Sequence, residues 1–100
     1  ALVARYGCTV ILKGAGTLVG APSRRAVLIA AGGPALATGG TGDVLTGVVA
    51  ALVAQGFDPF DAACTGALLH ACAGDAAARD GERGLRATDL MPHLRRLSNP

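Results

Sequence analysis

The sequence is poor in the residues that usually fill a small core. It has no Trp, one Tyr and two Phe, 3% aromatics in 100 residues. Aromatic side chains normally bury the largest areas, so a core here must be built from small side chains at close range or completed by a further surface. Lysine is nearly absent: Lys13 stands alone against eight arginines. Those arginines are scattered and do not form the basic stripe of a nucleic-acid binder. Net charge is low too, +2 with 16% charged residues, which excludes the high-charge, low-hydrophobicity regime of disordered chains. No apolar run reaches the roughly 18 to 20 residues that cross a bilayer. The opening Ala1-Leu-Val-Ala-Arg5 lacks a signal-peptide layout, so no membrane association and no export are expected. Three cysteines, Cys8, Cys64 and Cys72, form an odd set without CxxC spacing. Buried, reduced thiols of a cytoplasmic protein are the simplest reading, in preference to a disulfide framework or a metal cluster.

What is present is glycine, 15 residues, and small or aliphatic side chains that bring the hydrophobic fraction to 51%. Residues 8–12 read as a buried strand, apolar and β-branched, ending at Lys13-Gly14. Residues 17–21 and 25–30 read as two further strands joined by the turn signal Pro22-Ser23-Arg24, a hairpin. Residues 31–42 hold five glycines, a density that no regular element tolerates easily, and form a loop.

A helix is expected from about Asp43 to Gln55, with a stripe of Val44, Leu45, Val48, Val49, Leu52 and Val53 and a stop at Gly56. A second helix opens at Asp58-Pro59, with Asp58 as N-cap, and runs to about Arg79. Its stripe is Phe60, Ala63, Cys64, Ala67, Leu68, Ala71 and Cys72. A polar loop over 80–84 precedes a short last helix capped by Thr88 or Asp89, with Pro92 in its first turn. A strand, a hairpin, a glycine loop and packed helices make part of an α/β layered domain.

The segment Gly39-Gly-Thr-Gly-Asp43 is the sharpest chemical feature. Glycines permit tight turns and close ligand approach, and the first amides of a helix favour phosphate. Asp43 has two readings at even weight: a helix N-cap or first-turn acid stabilised by the macrodipole, or a base taking a proton from a hydroxyl that attacks phosphorus. The segment is not a Walker loop, since no lysine follows Gly42. Lys13-Gly-Ala-Gly-Thr17 is a weaker second motif, a strand-end lysine and glycine turn able to contact a nucleotide. His70 lies well inside the second helix and reads as a packed residue rather than a ligand. His93 has less support still. The arginines from Arg79 to Arg96, interleaved with Asp80, Glu82 and Asp89, read as a solvated surface.

Several blocks together resemble the ADP-dependent NAD(P)H-hydrate dehydratases, a ribokinase-like family. They are Val10-Ile-Leu-Lys-Gly-Ala-Gly-Thr17, Gly33-Pro-Ala-Leu-Ala-Thr-Gly-Gly-Thr-Gly-Asp-Val-Leu-Thr-Gly47, residues 52–63, Leu69-His-Ala-Cys-Ala-Gly-Asp75 and Ala87-Thr-Asp-Leu90. The order is the family's and nearly the whole chain is covered. Gly33 is a mild departure from the Asn-Pro-Gly-type block expected there and bears on loop shape. The resemblance implies that residues 1–100 are the C-terminal portion of a single ribokinase-like nucleotide-binding domain.

The implied reaction is repair of hydrated NADH or NADPH. ADP phosphorylates the ring hydroxyl, phosphate is lost, and AMP and phosphate are released. By position, Lys13, Gly14, Ala15, Gly16, Thr17 and Gly42 are implied to contact the AMP part of the nucleotide. Asp43 is implied to contact the hydrated nicotinamide and serve as base. Mg2+ is implied without an assignable ligand, as are a homo-oligomer and fusion to, or cooperation with, an NAD(P)H-hydrate epimerase. The alternatives are a ribokinase-like kinase of a vitamin precursor, and a non-catalytic fragment that needs its missing half.

Overall fold

The computed structural model describes residues 2–13, 16–33, 36 and 39–99. A short helix α1 (Leu2–Tyr6), for which the sequence shows no periodic signal, buries none of its residues. Three strands follow, β1 (Val10–Leu12), β2 (Thr17–Gly20) and β3 (Val27–Ile29). The expected isolated strand is in fact the first member of one antiparallel meander in the order β1-β2-β3. Its register sets Ile11 opposite Val19 and Val19 opposite Val27. Between β2 and β3 the Arg24 amide bonds the Ala21 carbonyl at 3.2 Å. Pro22 supplies the fixed φ of such a turn, and Ser23 takes the left-handed conformation at φ 62.

Alternation of side chains divides the sheet. Val19 and Ile29 are buried against Ala63, Ala67 and Ala71, with Ile11, Val27 and Phe60 at the margin. On the other face Leu12, Leu18 and Leu28 lie side by side across the three strands. They are 54%, 43% and 62% exposed.

Helices α2 (Thr41–Ala54) and α3 (Pro59–Ala78) follow the expected boundaries within about two residues. α2 ends as a Schellman turn: the Phe57 amide bonds Leu52 O and the Gly56 amide bonds Val53 O, with Gly56 at φ 100. α3 is enclosed on more than one side, which is why its buried set is broader than the expected stripe. Its alanines 63, 67 and 71 meet the sheet, while Ala73 and Ala77 join Leu85, Leu90 and Leu94 in a second cluster. Glycine makes the approach of α2 possible: a Cβ on Gly66 would stand 2.8 Å from Val49 Cγ2. Here the scarcity of aromatics is answered by small residues in close contact.

Three expectations about burial are corrected. Cys8 is exposed, and Cys64 and Cys72 are only half-buried. Leu68, at 48%, and Val53, at 43%, are exposed, on helix faces that no described element covers. At the C-terminal end a 3₁₀ turn (Ala87–Leu90) leads into α4 (Met91–Leu97), whose second residue is Pro92. Neither Thr88 nor Asp89 is the N-cap residue. Asp89 instead accepts from the Arg86 amide at 2.8 Å and closes the turn from its third position. Among the described residues no helix is long and apolar enough to cross a membrane.

Candidate functional site

The start of α2 is built around glycine. Gly40, at φ 91, is the residue before the helix and adopts the left-handed conformation. A Cβ there would be strained and would sit 3.2 Å from Ala87 Cβ, whereas Gly39 and Gly42 border open space. The Val44 amide makes its helical bond to Gly40 O at 3.2 Å. The Gly42 and Asp43 amides precede it and have no acceptor within the helix. Gly40, in the N-cap position, has no side chain with which to cap this terminus. Asp43 is the third helical residue and is exposed. The capping version of its structural reading is therefore excluded. It is an acid of the first turn, exposed beside the first amides of the helix.

The rear of this terminus is buried and fastened to α3. His70, 2% exposed, places Nε2 2.8 Å from the carbonyl oxygen of Thr41. Burial is the first cause that holds its pKa below the usual 6.5, the Lys13 charge lowers it further, and the bond to Thr41 works the other way. A neutral ring donating Nε2–H to the carbonyl fits both observations. Thr41 also donates its hydroxyl to Leu36 O at 2.7 Å. One turn and more along α3, Asp75 Oδ2 accepts from the Gly32 amide at 3.0 Å. Between them Gly74 admits Leu36, whose Cδ2 would be 2.6 Å from an added Cβ. The glycine-rich segment is thus gripped near its start by Asp75, in its middle by the Gly74 notch and at its end by His70. His70 is packed, as its place well inside α3 implies. Its bond to Thr41, and the whole role of Asp75, were not readable. The only sequence signal is a polar residue recurring within a run of small ones.

Lys13 is exposed immediately after β1, close enough for its charge to act on His70. Thr17 opens β2 opposite Ile29, three residues before the Gly32 amide that Asp75 holds. A Cβ on Gly16 would be 3.0 Å from Leu28 Cδ1. Lys13 is thus within electrostatic reach of α3, and Thr17 pairs with the strand that leads into the glycine segment. Gly14 and Ala15 lie outside the described residues. His93 is away from this region and accepts from Arg96 Nη2 at 3.1 Å. Burial pushes the Cys64 thiol up, the Asp61 charge adding to it, so no thiolate nucleophile is offered there. Among the described residues no three His, Cys, Asp or Glu side chains cluster to hold a metal.

Comparison with known proteins follows the same blocks. The sequence profile of the NAD(P)H-hydrate dehydratase family matches residues 1–96. A bifunctional NAD(P)H-hydrate repair enzyme of Escherichia coli is 50% identical over 100 residues, covering 99% of this chain and 19% of that protein. An ADP-dependent (S)-NAD(P)H-hydrate dehydratase of Neisseria meningitidis is 43% identical over 96 residues, covering 94% of this chain and 32% of that protein. The chain thus spans about a fifth to a third of the relatives' length. Among solved structures, Bacillus subtilis YxkO superposes with a TM-score of 0.90 at 30% identity, covering 97% of this chain and 37% of that one. The ADP/ATP-dependent NAD(P)H-hydrate dehydratase of Bacillus subtilis, crystallised with ATP and Mg2+, superposes with 0.87 at 30% identity, covering 97% and 35%. The α/β arrangement of sheet and helices is that of these ribokinase-like dehydratases.

Proposed function

The chain belongs to the NAD(P)H-hydrate dehydratase family, and on that premise we propose that it forms the C-terminal, nucleotide-binding portion of an ADP-dependent enzyme restoring hydrated NADH and NADPH. The observation that carries the reading is the start of α2. It presents the Gly42 and Asp43 amides, which have no acceptor within the helix, beside the exposed carboxylate of Asp43. Anion-binding amides suit a diphosphate, and a carboxylate beside them suits the hydroxyl that attacks it.

The chemistry then balances as follows. Asp43 takes the proton of the ring hydroxyl as its oxygen bonds to the terminal phosphorus of ADP. AMP departs with the electrons of the broken P–O bond. The phosphate ester leaves the ring carbon as phosphate while the neighbouring carbon gives up a proton, and the ring double bond returns. Lys13, Gly14, Ala15, Gly16, Thr17 and Gly42 would hold the AMP part. Lys13 adds a positive charge on the side of α3 where phosphates would lie. The described residues do not fit a protein cage for Mg2+. An ion arriving with the nucleotide would be held mainly by phosphate oxygens, and no step is assigned to it.

The full-length protein would act on small molecules in the cytoplasm, as a homo-oligomer and fused to or working with an NAD(P)H-hydrate epimerase. The bifunctional relatives support such an association. The test is to incubate the full-length protein with hydrated NADH and ADP while following absorbance at the reduced-nicotinamide band. Recovery of the band with stoichiometric AMP and phosphate is expected. A stable phosphorylated product with no recovery would instead establish a kinase.

A further inference from the structure

We propose that Asp75 is a positioning residue for nucleotide binding: with the notch at Gly74 it seats the connection between β3 and α2, and so sets the two proposed nucleotide contacts, Thr17 and Gly42, at their working separation. The inference rests on the functional reading above and extends it to a residue outside the contacts assigned there.

In that reading one nucleotide is held from two places, the turn before β2 and the start of α2. Thr17 pairs with Ile29, the last residue of β3, and α2 begins at Thr41. Among the described residues between them no strand or α-helix forms, so the path of this connection is set by contacts with other elements. The described contacts lead to α3. The Gly32 amide donates to Asp75 Oδ2 at 3.0 Å. Gly32 takes φ 100, and a Cβ there would stand 3.3 Å from Ala71 Cβ, so its backbone lies directly against the helix. The Leu36 amide bonds Gly33 O at 3.1 Å, and this turn delivers Leu36 to the helix a second time. Its Cδ2 and Cγ lie 2.6 and 2.7 Å from where a Cβ on Gly74 would be. Leu36 O then accepts the Thr41 hydroxyl at 2.7 Å. Two consecutive residues of α3 thus hold both ends of the 32–36 turn, one by an acceptor and one by having no side chain. The far end of that turn is bonded to the first residue of α2. The two holds differ in kind. Gly74 and Leu36 interlock, and Gly74 is buried. Asp75 is exposed, so removing its carboxylate opens no cavity. It acts on the Gly32 amide, at the point where the connection turns left-handed.

The experiment measures ADP affinity by calorimetry, and KM for ADP against kcat, in the full-length protein and in Asp75→Ala, Asp75→Asn and Gly74→Ala. Melting temperature is recorded alongside, and amide exchange is followed without nucleotide. Asn keeps an oxygen acceptor at the reach of the carboxylate, and Ala removes it. Gly74→Ala puts a better helix former into α3 and drives a Cβ into Leu36. Asp75 being exposed, its two variants keep the test readable if Gly74→Ala fails to fold. Asp75→Ala and Gly74→Ala should each weaken ADP affinity and raise KM for ADP at least fivefold, with kcat at saturating ADP near the parental value. Asp75→Asn should stay within about twofold of the parent in affinity. In ligand-free Asp75→Ala the Leu36 and Val44 amides should exchange faster than in the parent. Parental affinity in Asp75→Ala would overturn the proposal whatever the melting temperature, since the carboxylate would then only add stability. Equal losses in Asp75→Ala and Asp75→Asn would overturn it too, because charge would be the cause and not an acceptor for Gly32. So would lost affinity with parental exchange, which would make Asp75 a direct nucleotide contact. A parent that binds ADP but does not dehydrate the hydrate defeats the reaction proposed above, and the Ala-to-Asn comparison still decides the role of Asp75. A parent that binds no ADP defeats both.

Discussion

Helices α2 and α3 each begin with amides that lack helical acceptors, and they dispose of them differently. At α3 the sequence supplies a local solution. Asp58 caps the helix, its carboxylate accepting from the Asp61 amide at 3.2 Å, and Pro59 occupies the first position, where a missing N–H costs nothing. At α2 the preceding residue is a left-handed glycine, which has no side chain to cap with, and the acid of the first turn is exposed. One terminus is satisfied by its own residues. The other starts on a glycine and is held from behind by α3. Glycine in the N-cap position forgoes only a few tenths of a kcal/mol relative to a capping side chain, so such a start is cheap to retain where a ligand completes it.

The largest effect should come from Asp43. Asp43→Asn keeps the shape of the first turn and removes the base. In the full-length enzyme kcat should fall about 10²- to 10⁴-fold, with ADP affinity and melting temperature nearly unchanged. A drop in melting temperature with intact turnover would make the two helix starts alike, both merely structural. Gly40→Ala comes next. It forces a side chain into the left-handed region, costing about 1 to 2 kcal/mol, and presses on Ala87, 3.2 Å away. Denaturant unfolding should register that loss, and ADP affinity should fall with it because the amides of the next turn are re-aimed.

These two substitutions also mark the limit of what the sequence disclosed. Period and punctuation sufficed for α2 and α3: aliphatic recurrence, Gly56 as a stop, and Asp58-Pro59 as a start are local signals, and the structure keeps them. The glycine loop before Asp43 was legible for the same reason. Pairing of β1 with β2 was not, because three-residue strands carry too little alternation to declare a partner. The Arg86–Asp89 closure was missed because the last helix is preceded by a 3₁₀ turn whose cap falls three residues earlier. At the site, Lys13 and Asp43 stood out as a lone lysine and a helix-start acid. The supports did not, since His70 meets Thr41 across 29 residues and Asp75 meets Gly32 across 43. Such contacts exist only once α3 has packed.

A third substitution separates the two starts by stability. Asp58→Ala removes the cap of α3 and should cost about 0.5 to 2 kcal/mol in unfolding free energy, leaving kcat and ADP affinity at parental values. If catalysis falls as far as it does in Asp43→Asn, the division between a structural terminus and a reacting one is wrong.

The smallest effect tests whether α3's cap is local or depends on the sheet. Arg24, in the β2–β3 turn, sets Nη2 3.4 Å from Asp58 Oδ2 and Nη1 4.0 Å from Asp61 Oδ1. Its guanidinium lies 5.0 Å from the centre of the Phe60 ring. The Asp58 oxygen that caps the helix is thus also the one that meets Arg24. Both partners are about half exposed, so solvent and salt screen the pair and its worth is about 0.2 to 1 kcal/mol. Arg24→Ala should therefore lower stability by less than Asp58→Ala, and the loss should shrink in high salt. In the double variant the two losses should add to less than their sum, because removing Asp58 already removes most of what Arg24 contacts. Strict additivity would show that the cap works without the turn, and that the start of α3 is as self-sufficient as its sequence suggests.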